Sequence, residues 1–201
     1  MSAASIARLK ITLDDVKPVV LRRLEVPFDI RLDRLHLTVQ AAMGWTNSHL
    51  YELRAGDVGW STPYPEEDWA GDFLDARKAR LADILEDIGT KRLVYLYDFG
   101  DGWEHRIKIE RLVDAEPGVL YPRLLEVSGR CPPEDCGGPW GYAELLEALK
   151  DANHERHHEL TEWVGDSFDP NDTDAEWLIA DVATLAKQWS RKPTKKKSKR
   201  H

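Results

Sequence analysis

Along residues 6 to 13 the apolar side chains Leu9, Ile11 and Leu13 alternate with Lys10 and Thr12, the period of two that marks a strand with one buried face. Asp14 to Pro18 makes a turn, and the β-branched run Val19 to Val26, closed by Pro27, pairs back on the first strand as a hairpin. The pattern then changes. Leu32, Leu35, Val39, Ala42 and Met43 follow helical spacing up to Gly44, the residue type that ends helices. Alternation returns in His49, Tyr51, Leu53 and Ala55, and after Gly56-Asp57 the segment Val58 to Trp60 completes a second hairpin. From Ser61 to Arg80 periodicity disappears among prolines and charges, which predicts a long surface loop or flap. A short helix over 81 to 88 ends at Gly89, and residues 91 to 98 and 103 to 113 form the clearest hairpin of the chain. Leu124 to Val127 adds a strand, a proline-rich loop spans 131 to 140, and helical faces follow over 145 to 149, 154 to 163 and 175 to 189.

Strands broken by single helices do not give the regular alternation of a doubly wound sheet. The expected fold is therefore α+β, a curved antiparallel sheet built from hairpins, with helices packed on one face and a helical C-terminal part. One domain over residues 1 to 190 is expected, followed by a disordered basic tail over 191 to 201. No run of about 18 apolar residues occurs and no signal sequence opens the chain, so a cytoplasmic protein with no membrane partner is expected. The net charge of -8, less the seven cations from Arg191 to Arg200, leaves -15 on residues 1 to 190. Such a body repels nucleic acid over most of its surface, which confines weak, non-specific nucleic-acid binding to residues 191 to 201.

Two segments stand out. Tyr95-Leu96-Tyr97-Asp98-Phe99-Gly100-Asp101-Gly102-Trp103-Glu104-His105 combines a strand, a turn rich in glycine and aspartate, and a second strand whose Trp103, His105, Ile107 and Ile109 share one face. Cys131 to Tyr142 (CPPEDCGGPWGY) is the other, and Phe168-Asp169-Pro170 follows. With the opening Lys10-Ile11-Thr12-Leu13 and Pro18 to Arg23, they make the chain resemble the plasmid pRiA-type ORF-three-like family over roughly residues 6 to 185. That resemblance implies a mixed α+β fold found in proteins of plasmids, chromosomes and mobile-element passenger positions, with no established reaction. Some relatives carry a resolvase-like label, but a serine recombinase needs a serine nucleophile with a supporting arginine cluster, and this chain has no such constellation.

The two segments are expected to meet and form the principal concave site. Trp103, Trp140 and Tyr142 would be its apolar walls, and Asp98, Asp101, His105, Glu134 and Asp135 its convergent polar groups. Asp98 and Asp101 bond to turn amides and orient the His105 imidazole. Asp98, Asp101, Glu104 and His105, with Glu134 and Asp135 approaching from the proline-rich loop, are also the donors that a divalent metal would use. No cofactor is otherwise called for. Cys131 and Cys136 lack a second ligand pair and are expected as buried thiols, and the Gly137 to Gly141 stretch as a tight connection instead of a phosphate loop. His154, His157 and His158 interleave with glutamates as a solvated helix face. Trp60 and Trp69 border the long loop and are expected to be exposed there. The function these readings support is a non-enzymatic protein- or peptide-binding module. Its alternatives are a metal-dependent hydrolase in the same cleft and nucleic-acid association through the tail.

Overall fold

The alternating segments do become strands, and their register decides what lies inside. In the computed structural model, which describes residues 5–63, 73–165 and 168–190, β1 (Ser5–Leu13) pairs antiparallel with β2 (Leu21–Pro27). Helix α1 (Leu32–Met43) follows and ends at Gly44. The next strands are β3 (Tyr51–Ala55), β4 (Val58–Ser61) and β5 (Phe73–Asp75). One helical turn, α2 (Leu81–Asp83), runs on into a π-helical turn over Ile84–Ile88. The hairpin of β6 (Arg92–Tyr97) and β7 (Trp103–Asp114) leads to β8 (Arg123–Ser128). Helices α3 (Gly138–Lys150), α4 (His157–Val164) and α5 (Ala175–Ser190) close the chain.

These eight strands form one open sheet in the order β5-β4-β3-β6-β7-β1-β2-β8. The sheet is mixed. Strand β5, which falls in the stretch expected to be loop, runs parallel to β4, and every other neighbouring pair is antiparallel. Helices α1 and α5 pack on each other, α1 against β2 and α5 against β8. Their apolar stripes (Leu35 and Val39, Leu178 and Val182) share a core with Leu9, Ile11, Leu24, Ile107 and Ile109 of the sheet.

Two polar devices sit inside this core. The guanidinium of Arg22, fully buried, donates from Nε to the Ala42 carbonyl at the C-terminal end of α1, where a positive charge is favoured by the negative end of the helix dipole. Its Nη1 donates to the carbonyls of Leu21, Ser128 and Gly129, joining helix and sheet edge. Under α1, His36 stacks on Tyr51 with ring centres 3.6 Å apart. The Asn47 side-chain oxygen accepts from His36 Nε2 at 2.6 Å, which leaves Nδ1 to accept from the Tyr95 hydroxyl at 2.9 Å. Burial pushes this imidazole down to about 4, so it is neutral.

Candidate functional site

Strand β6 ends at Tyr97, and Asp98 turns the chain with a φ of 55°. That left-handed conformation suits aspartate because its carboxylate can bond the amides ahead. Asp98 Oδ1 accepts from the amides of Gly100 at 2.9 Å and Asp101 at 3.3 Å, and the turn delivers Trp103 to β7. Asp98 therefore bonds the turn amides as the sequence suggests. Asp101 does not: its side chain hydrogen-bonds to no described residue, and Oδ2 is buried without a partner.

The connection from α1 to β3 lies alongside. The amides of Ser48 and His49 donate to the Tyr97 hydroxyl at 3.0 and 3.3 Å. Tyr97 in turn donates to Glu134 Oε1 at 2.5 Å, while the Thr46 amide (2.9 Å), the Thr46 hydroxyl (2.5 Å) and the Ser48 hydroxyl (3.2 Å) also donate to this carboxylate. Burial on its own would raise the pKa of Glu134, but those donors favour the anion and hold it below the usual carboxylate range. The indole N–H of Trp45 fixes the next turn by donating to the Pro132 carbonyl at 2.9 Å.

These bonds bring three donors together. His49 Nε2 stands 3.6 Å from Asp98 Oδ2 and 3.1 Å from Asp135 Oδ1, and one ligand atom from each of the three residues lies within 4.8 Å of the others. The approach of His49 to Asp135 is an ion-pair distance without hydrogen-bond alignment. Asp98 is buried and the Asp135 side chain is 71% exposed, so the group opens to solvent on one side.

Two glycines set the depth of this contact. A Cβ on Gly138, whose φ is +69°, would lie 2.3 Å from the Asp101 carbonyl oxygen, and one on Gly141 would lie 1.9 Å from that of Cys136. The glycine-rich stretch therefore opens α3 directly against the β6-β7 turn. Its proline stands in the first turn of that helix, where a missing N–H is tolerated.

The walls expected of the cleft are not in it. Trp103 and His105 are fully buried and Tyr142 nearly so, because they belong to the core face of β7 and α3. His105 is oriented by backbone alone, its Nδ1–H lying 3.1 and 3.0 Å from the carbonyls of Tyr95 and Trp103. Asp98 and Asp101 take no part in this. Burial pushes His105 down to about 4, so it is neutral and out of reach of solvent. Trp140 stands at the opposite extreme, 88% exposed on the first turn of α3. Of the metal donors read from the sequence, Asp98 and Asp135 belong to the three-donor group. Glu134 is occupied by four hydrogen bonds, and Asp101 and His105 lie outside the group.

Other readings divide similarly. Burial pushes the thiols of Cys131 and Cys136 up to about 12, and neither belongs to a metal-binding group of described residues. His157 Nδ1 bonds to the Ala148 carbonyl at 2.6 Å and docks α4 on α3, whereas the His158 side chain is 93% exposed. Trp60, expected at the surface, is buried on β4, and Trp69 and the tail 191–201 lie outside the described residues. The sequence reading missed His49, which it placed in a strand, and with it Thr46, Ser48 and Tyr97. Their one signal was an unbroken polar run from Thr46 to His49, one residue beyond a helix-ending glycine, a connection that a rigid scaffold positions.

Fold and junction together define an open mixed-sheet α+β protein in which a helix-to-strand connection, a hairpin turn and a proline-rich loop converge on one histidine and two aspartates. The chain belongs to the plasmid pRiA4b ORF-3-like family, whose profile matches residues 5–177. It is 55% identical over 194 residues to the uncharacterized protein y4hQ of Sinorhizobium fredii (strain NBRC 101917 / NGR234), covering 96% of this chain and 98% of that one. The crystal structure of the protein of unknown function MM3350 from Methanosarcina mazei Go1 is similar with a TM-score of 0.79 and 31% identity, covering 90% of this chain and 99% of that one. No described helix is long and apolar enough to cross a membrane.

Proposed function

We propose that the protein is a non-enzymatic binding module whose ligand site is the junction of His49, Asp98 and Asp135, and that a divalent metal ion is the ligand this donor set fits best. The observation that carries the reading is the placement of one imidazole nitrogen 3.6 and 3.1 Å from two carboxylates, one of which is exposed to solvent. Two donors on one ion, each about 2.1 Å from it, stand no more than about 4.2 Å apart, so both imidazole-carboxylate distances suit a shared ion. Rotation of the exposed Asp135 side chain supplies the remaining adjustment. A binding role is favoured over catalysis because both thiols are held protonated and His105 is sealed in the core, so that neither cysteine serves as a nucleophile with His105 as its base. Trp140 offers a macromolecular partner the kind of large exposed aromatic that dominates interface energetics.

The exposure of Asp135 favours one further reading. Coordination positions left open to water are those of a catalytic ion, so a metal-dependent hydrolase is the alternative. Both readings meet the same titration with zinc and manganese chloride, on protein purified without a metal-binding tag. One ion per chain is expected, with His49→Ala and Asp98→Asn each weakening it by about tenfold or more. No binding by the wild type, or undiminished binding by the variants, overturns the site. Metal-dependent turnover of activated phosphate or carboxylate esters by the loaded protein would replace the binding role with the hydrolase.

A further inference from the structure

The sheet face turned away from the helices carries its charges in an order that only the register reveals. Arg92 of β6 stands opposite Lys108 of β7, Lys108 opposite Lys10 of β1, and Lys10 opposite Arg23 of β2. Four cations thus follow one another across four strands. Like charges directly opposite destabilise a sheet, so this row works against folding. On the adjacent row Arg106 faces Val94, and Val94 faces Arg54. Lys10, Arg54, Arg92, Arg106 and Lys108 line a single concave groove of about 550 Å³, in which no carboxylate takes part.

The surroundings of the groove limit what it can hold. Arg23 is held by Glu110 at 2.8 Å and by Glu126, Arg54 by Glu52 at 2.6 Å, and Arg106 by Asp14 at 2.7 Å. Acids therefore close the positive field at its margins, while Lys10, Arg92 and Lys108 in its middle form no ion pair with a described residue. A nucleic-acid strand leaving the groove would run into those carboxylates. It would also find no stacking platform, because no aromatic side chain lines the groove. The volume is that of a small-molecule site, ordinarily about 300 to 1,000 Å³.

We propose that this groove binds a compact, multiply phosphorylated small molecule, with Lys10, Arg92 and Lys108 as its principal phosphate contacts. The site is independent of the His49 junction. Because the described body is otherwise acidic, an anion is drawn to this bounded field, and its binding weakens steeply with salt.

Calorimetric titration of the full chain with sodium tripolyphosphate at low ionic strength tests the proposal, beside the double variant Lys10→Gln, Lys108→Gln. Saturable binding is expected for the wild type, much weaker binding of orthophosphate, and a loss of about tenfold or more in the double variant, which removes two charge-assisted contacts. Without ligand the double variant should melt above the wild type, because the opposed cations are gone. Four results would overturn the proposal. One is the absence of saturable binding. Another is affinity unchanged in the double variant, which would assign binding to the basic residues after Ser190. A third is a single-stranded oligonucleotide that outcompetes tripolyphosphate through the same two lysines. The last is a double variant that melts below the wild type, which would remove the like-charge argument.

Discussion

At the His49 junction nearly every charge is answered from within the chain, whereas in the sheet groove charges of one sign face each other. Glu134 collects donors from three residues, and His49 lies between two carboxylates. Across β6, β7, β1 and β2 the register instead sets Arg92, Lys108, Lys10 and Arg23 side by side. The first arrangement contributes to stability and the second subtracts from it, so removing a side chain should have opposite signs in the two places.

Gly138→Ala should have the largest effect, a loss of about 3 kcal/mol or more in urea denaturation, because a Cβ there collides with backbone at a positive φ. The same variant should lose metal binding at His49 and leave tripolyphosphate binding intact, which separates the two regions in one protein. Acid comes next. The folded-state values of His36 and His105 are depressed to about 4, so between about pH 6.5 and 4 only the unfolded chain takes up their protons. Stability is accordingly full above pH 6.5 and falls as pH drops, by about 3 kcal/mol between pH 7 and 5 for the two groups together. Glu134, also depressed, stabilises above the ordinary carboxylate range and loses that contribution as pH falls through its lower folded value. Glu134→Gln should therefore flatten only the most acidic part of the curve measured by denaturation at several pH values.

Asp98→Ala should cost about 1 to 2 kcal/mol through two lost turn bonds, while Asp101→Ala should change stability by less than about 0.5 kcal/mol. Equal losses would show that the turn is held by something other than Asp98 Oδ1. A small effect of opposite sign belongs to Lys10→Gln, a gain of about 0.3 to 1 kcal/mol that fades in high salt.

The hairpins of β1 with β2 and of β6 with β7 were legible because alternation and turn residues are local properties, and the structure pairs them as that pattern implies. The same alternation held the answer to the cleft walls. Trp103, His105, Ile107 and Ile109 share one face, and a face that buries two isoleucines buries the tryptophan and histidine with them. His49 could not be read in this way, because its position follows from tertiary bonds to Tyr97 made by its own amide and that of Ser48. Strand β5 is three residues long without a clear burial period, and its pairing with β4 comes from the sheet edge. The basic groove was invisible for a related reason. Each strand shows only an ordinary polar face, and the repetition of charge exists only once four strands are in register.

The position of β1 gives the chain a schedule. Of the described strands the earliest in sequence, β1, is an interior one, flanked by β2 and by β7, with Ile6 opposite both Pro27 and Val113. Its second neighbour leaves the ribosome roughly a hundred residues later, an interval of about 5 to 20 s at ordinary synthesis rates. For that time the β1-β2 hairpin shows an open edge to every other chain nearby, the condition under which strands pair with the wrong partner. Arg8 and Lys10 lie along that edge. Charge that opposes closure of the finished sheet therefore shields the nascent one from intermolecular pairing until β7 arrives.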